Sequence, residues 1–156
     1  MMSRVQKGLA GGVAGTVAVS LLELPNIFLN WFDPTPAVIA HVIGMHGNMA
    51  VGWALHLAIG VLLLGPAFGY LCPRLPTDTP ETKGIAFAVG AFVLMMLVVF
   101  MFGDQSTFTS GAGFGAVAWM LITNVVFGIV MGNVYGRLIQ RDRQRARAMS
   151  GMAAAH

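Results

Sequence analysis

The segment HVIGMHGNMAVGWALH, His41 to His56, holds three of the chain's four histidines, with Met45 and Met49 among them. Imidazole with thioether suits copper, and imidazole with carboxylate suits zinc. His41 and Met45 stand four residues apart and would share a helix face. With His46, Met49, Asp33 and Asp104 they make a candidate metal set on one side of the chain's hydrophobic spans. Haem is a rival. If His41 to His56 were one helix, its end histidines would lie about 22 Å apart on a similar face, as in proteins that stack two haems. Each iron would need a second axial ligand from another helix. The remaining histidine, His156, lies at the wrong end, and Gly44, Gly47 and Asn48 interrupt the helical pattern. The plainer reading is of interfacial histidines and packing methionines, with no cofactor. The choice depends on where the membrane lies.

The chain has 156 residues, of which 56% are hydrophobic and 10% charged, and its mean hydropathy is +0.75. A soluble domain carries about 25% charged residues. A chain this poor in charge cannot cover a water-facing surface, so lipid is its solvent. The apolar runs are continuous rather than alternating, which predicts helices and not a β-barrel. Four spans are expected, at about 8–31, 48–71, 84–103 and 114–138, each near the roughly 20 residues that cross a hydrocarbon core. The first span follows Arg4 and Lys7 as a signal peptide would, but its apolar run is too long, and an uncleaved span is expected.

Between the first two spans, Asp33-Pro34-Thr35-Pro36 reads as a turn with Thr35 as cap, opening a short interfacial or re-entrant helix over 36–44. Thr79, before Pro80-Glu81, reads as the cap of the third span. Residues 1–140 then form a single four-helix transmembrane domain, and 141–156 a basic tail.

The cations orient the bundle. Arg4 and Lys7, Arg74 and Lys83, and Arg137, Arg141, Arg143, Arg145 and Arg147 all fall on one side of four spans, and the loops opposite have none. The positive-inside rule makes that side, with both termini, cytoplasmic. The tail RDRQRARA would lie by anionic lipid head groups, which explains the net charge of +3 without nucleic acid. The single cysteine, Cys72, excludes an internal disulfide and a cysteine-based metal site.

Several stretches carry a resemblance: GLAGGVAGTVAVSLLEL, GNMAVGWALHLAIG, PETKGIAFAVGAFVL and GIVMGNVYGRL. Over about 8–138 the chain resembles a family of small four-helix membrane proteins of unknown function from bacteria and haloarchaea. The resemblance implies four helices with both ends inside the cell, and implies no activity; the expected location is the cytoplasmic membrane of a prokaryote. It carries no role over to the histidines.

Two ionisable residues fall within the spans, Glu23 and His56. Each lies about 12 Å below the outer end of its helix, at eight residues of 1.5 Å. A Glu23–His56 pair is expected, because pairing satisfies both groups, with Thr123 and Asn124 completing a polar layer. The layer reads as a structural clamp or as a site that handles protons or ions. Pro25 is expected to disturb the helix beside it.

Gly128, Gly132 and Gly136 form one stripe of small residues, and Gly8 with Gly12, and Gly11 with Gly15, form others. The simplest expectation packs the first and last helices together along them; a homodimer seam is the rival. Trp31, Trp53 and Trp119 read as an aromatic belt, and Met95, Met96 and Met101 as filler. No serine, threonine or cysteine sits by a base, so nucleophilic catalysis finds no support. The expected function is a non-catalytic accessory subunit of a larger membrane complex, which could be respiratory, with other subunits or a second copy as partner. The alternatives are a metal or haem protein using the His/Met cluster, and a small proton or ion conductor through Glu23 and His56.

Overall fold

The computed structural model describes residues 1–102 and 113–153. Asp104 and His156 lie outside them. Helix α1 covers Arg4–Leu29, the short α2 Thr35–Val42, and α3 Met49–Ala58. A π-helical stretch, Ile59–Leu64, joins α3 to α4, Gly65–Leu71, and one 3₁₀ turn, Cys72–Arg74, ends this second span. Helix α5 covers Pro80–Phe102 and α6 Gly113–Ala153. Four of these stretches are long and apolar enough to cross a membrane: Arg4–Leu29, Met49–Arg74, Pro80–Phe102 and Gly113–Ser150. The architecture is an all-α bundle, as the sequence implied.

The helix ends follow local chemistry. Ser3 and Gln6 form a capping box, Ser3 Oγ accepting from Gln6 N at 3.2 Å and Gln6 Oε1 from Ser3 N at 2.8 Å. Helix α1 continues through Pro25 and ends where Asn30 turns left-handed at φ 50°. Thr79 Oγ1 accepts from Thr82 N at 3.2 Å, the expected cap of α5. Gly44 and Gly47, both at φ +76°, and the capping Asn48 separate α2 from α3. His41 and His56 therefore stand on different helices, which removes the single-helix geometry that motivated stacked haems.

The glycine stripes choose other partners than expected. Gly8 and Gly12 face the second span: a Cβ on Gly8 would meet Gly69 Cα at 2.9 Å, and one on Gly12 would meet Gly65 Cα at 2.9 Å. Gly128, Gly132 and Gly136 face α5: a Cβ on Gly84 would meet Gly132 Cα at 3.1 Å, and Gly136 lies on Pro80. Helices α1 and α6 do pack together, but through Gly11 and Gly15 against Met131 and Phe127. Helix α1 thus uses two glycine faces about 60° apart, one for each neighbour. All three stripes named as a possible dimer seam are filled from within the chain.

The first and last spans meet at one end of the bundle, where Lys7 pairs with Asp142 at 2.8 Å. Arg74 and Lys83 lie at this basic end. At 1.5 Å per residue the 41 residues of α6 run about 60 Å, twice a hydrocarbon core. The basic tail is thus a continuation of the last helix, with Arg141, Arg143, Arg145 and Arg147 exposed. At the opposite end, α2 does not span. It folds back into the bundle, with Thr35, Pro36, Val38 and Ala40 buried, and Val38 joins Phe92, Val99 and Met120 in a core cluster.

Candidate functional site

Glu23 is fully buried on α1. Its carboxylate accepts four hydrogen bonds from three helices. Oε1 takes Thr35 Oγ1 at 2.7 Å and Thr35 N at 3.2 Å, both from the first residue of α2. Oε2 takes Asn26 Nδ2 at 3.0 Å, one turn along α1, and Trp119 Nε1 at 3.4 Å from α6. Asn26, also fully buried, extends the network into the α1–α2 connection. Its Oδ1 accepts from Phe32 N at 3.0 Å and its Nδ2 donates to Phe32 O at 3.2 Å. Phe32 in turn stacks on Trp119, ring centroids 6.2 Å apart.

The chemistry of the arrangement is plain. A short helix packed into the bundle leaves backbone N–H groups at its N-terminus that need partners within the fold. Glu23 supplies the acceptor for one of them, Thr35 N, and Asn26 accepts from Phe32 N in the connection ahead of the helix. A carboxylate at a helix N-terminus also opposes the helix dipole favourably. Glu23 is thus the remote cap of α2. Thr35, expected to cap α2 itself, is its first residue and turns its hydroxyl to Glu23 instead.

The expected Glu23–His56 hydrogen bond does not form. His56 packs edge-on against Trp53, ring centroids 5.6 Å apart, and its buried Nε2 has no partner. It faces a cleft of about 70 Å³ between the four spans, under α2, lined by Thr16, Thr35, Thr123, Asn124 and otherwise apolar side chains. Thr16 Oγ1 is unpartnered there as well, on a side chain only 1% exposed. Each orphaned buried group costs about 1–3 kcal/mol. The volume decides what could relieve them. It is about half the roughly 150 Å³ that admits a benzene-sized ring, and room for about two waters at roughly 30 Å³ each. Thr123 and Asn124 line the cleft but return their donors to Met120 O, at 3.0 and 2.8 Å.

The π-helical stretch forms one wall through Ile59, Gly60 and Leu64. Gly65-Pro66 ends it, and the proline removes an N–H at that point. Such bulges are frequent at functional sites. Sequence reasoning passed over it, as it did Asn26 and Thr16. A proline inside the second span and an Asn three residues after an intramembrane Glu were the available signals. Trp119, read as part of the belt, is drawn inward by its bond to Glu23.

The proposed metal set is only partly assembled. The His41 and His46 rings meet edge-on with centroids 4.1 Å apart. Met45 and Asp33 are exposed and Met49 is half-buried. No group of three His, Cys, Asp or Glu able to hold a metal occurs among the described residues.

The fold and this polar layer define a four-helix bundle of membrane-crossing length whose short connecting helix is capped by a buried carboxylate. The chain belongs to DUF6789, a family of unknown function, which it matches over residues 2–146. Neither curated proteins nor solved structures gave a match.

Proposed function

We propose that the protein is a non-catalytic accessory subunit of a larger assembly in the cytoplasmic membrane, with both termini in the cytoplasm. One observation carries this reading: the buried carboxylate of the bundle has all four of its donors drawn from the fold itself. The site is built to hold α2, and it leaves the surfaces to act. Two surfaces suit association. The second and third spans present broad apolar faces, among them Leu57, Leu62 and Leu63, and Val93, Leu94 and Leu97. The protruding end of α6 carries exposed arginines at a height where a peripheral protein or subunit loop could meet them. The distribution of cations supports the orientation.

Native mass spectrometry after mild-detergent extraction from the protein's own membranes tests the reading. Masses above the 16.5 kDa chain that correspond to other membrane proteins are expected. A bare chain, at extraction conditions that preserve known complexes, would refute it. A second reading, a metal site at the rim, rests on the contact between the His41 and His46 rings. Copper or zinc bound by the intact protein and lost in His41→Ala and His46→Ala would support it, and no uptake would end it.

A further inference from the structure

The basic end of the bundle holds a second and much larger cavity. It measures about 700 Å³ and lies between the start of α1, the end of the second span, the start of α5 and the protruding part of α6. Ligand sites occupy about 300–1,000 Å³. Four cationic side chains line it, Arg4, Lys7, Lys83 and Arg143, against two carboxylates, Asp78 and Asp142.

The charges are not equally available. Lys7 and Asp142 neutralise one another. Lys83 donates one of its three N–H groups to Cys72 O at 3.1 Å and keeps two. Arg4 and Arg143 have no ion-pair partner among the described residues. They stand on two different helices, one on α1 and one on α6. The floor is different in kind. Cys72, Pro73, Pro80, Tyr135 and Ile139 line it, and the Tyr135 hydroxyl is directed to Gly69 O at 3.3 Å.

An anion held by two guanidiniums and an ammonium, over an apolar floor level with the ends of membrane helices, describes an amphiphile. Arginine forks match phosphate oxygens in pairs. Basic pockets between membrane helices at the cytoplasmic face are where anionic lipid head groups bind. A free phosphate would gain the charges but nothing from the floor. We propose that this pocket seats the phosphate head group of an anionic phospholipid, with Arg4, Arg143 and Lys83 as its ligands and the acyl chains passing down beside α5.

The test uses the full chain, delipidated in mild detergent and offered phosphatidylglycerol or phosphatidylcholine, with bound lipid counted by native mass spectrometry. Retention of phosphatidylglycerol over phosphatidylcholine is expected. Each cation near a membrane surface contributes about fivefold in affinity, so Arg4→Gln with Arg143→Gln should weaken retention by about thirtyfold. The control is Arg145→Gln with Arg147→Gln, which removes the same charge from α6 outside the pocket and should leave retention within about twofold. Equal loss in both double variants would show diffuse surface charge and overturn the site. Displacement of the lipid by millimolar inorganic phosphate would make the ligand free phosphate and overturn the lipid assignment. The four side chains changed are exposed, and unaltered thermal midpoints would confirm that the folds compare.

Discussion

Replacing Glu23 by Gln changes one oxygen to an NH₂ group at constant shape. The structure sets the consequence. Oε1 serves two donors on Thr35 and Oε2 serves Asn26 and Trp119. A glutamine keeps one acceptor oxygen and turns a donor toward the other pair. Facing Asn26 and Trp119, that donor would orphan two N–H groups, and Asn26 cannot flip without losing Phe32 N. Facing Thr35 it is cheaper, because the hydroxyl can reverse and accept, and only Thr35 N is left unpaired. One buried orphaned N–H costs about 1–3 kcal/mol, and loss of charge from the remaining hydrogen bonds adds about 1. The expected destabilisation is therefore about 2–4 kcal/mol. Reversible unfolding in detergent micelles, followed by tryptophan fluorescence, would measure it, with Trp119 as the local reporter. Glu23→Asp keeps the charge but loses one methylene of reach and should fall between the two. A Glu23→Gln protein within about 0.5 kcal/mol of wild type would refute the account of Glu23 as the cap of α2.

Three further outcomes follow from the same contacts. Gly84→Ala places a Cβ against the backbone of Gly128 and Gly132, which cannot yield, so α5 and α6 must separate at a cost of about 1–3 kcal/mol in the same unfolding assay. The Lys7 ammonium, hydrogen-bonded to Asp142, holds that carboxyl below its usual value of 3.8. A depressed folded value means the pair stabilises fully above that pH and is lost as pH falls through the lower folded value. The thermal midpoints of wild type and Asp142→Asn should thus differ near neutrality and converge below about pH 3.8, and a pH-independent difference would count against the ion pair. Thr16→Val tests hydration of the cleft by sign. A hydroxyl bonded to water is lost at a cost of about 1 kcal/mol, whereas removing a truly orphaned hydroxyl stabilises. A loss is expected.

What the sequence disclosed divides along one physical line. Span number, the break at Gly44, Gly47 and Asn48, and the Thr79 cap depend on hydropathy and on neighbours within four residues, and the structure has each of them. Partner choice depends on rotation about a helix axis, which local pattern does not set. Gly128 and Gly132 were recognisable as a close-packing face, but nothing in their spacing distinguishes α5 from α1 as the helix they meet. The Glu23–His56 pairing failed for the same reason. Matching depth is one coordinate of three, and donors nearer in rotation, Asn26 and Trp119, took the carboxylate. Thr35 was close at hand in sequence. It was passed over because a cap was sought within its own helix.

The clamp and the cleft are linked through α2. Thr35 both donates to Glu23 and lines the cleft, and Ile39, one turn on, lines it too. Helix α2 is therefore the roof of the cleft and Glu23 its fastening. Eight residues of isolated helix are unstable in water, so α2 depends on its burial against α3 and α5 and on the carboxylate at its N-terminus. It follows that weakening the clamp should open the cleft before it unfolds the bundle. In Glu23→Gln, hydrogen exchange at the amides of 35–42 should accelerate by about 30- to 1,000-fold, as 2–4 kcal/mol implies, and these amides should exchange well ahead of those of α1 and α6 around Gly11 and Met131, which open only with the whole bundle. Equal protection of α2 and the four spans would mean instead that α2 is an integral part of one cooperative unit, and that Glu23 holds the whole bundle rather than its roof.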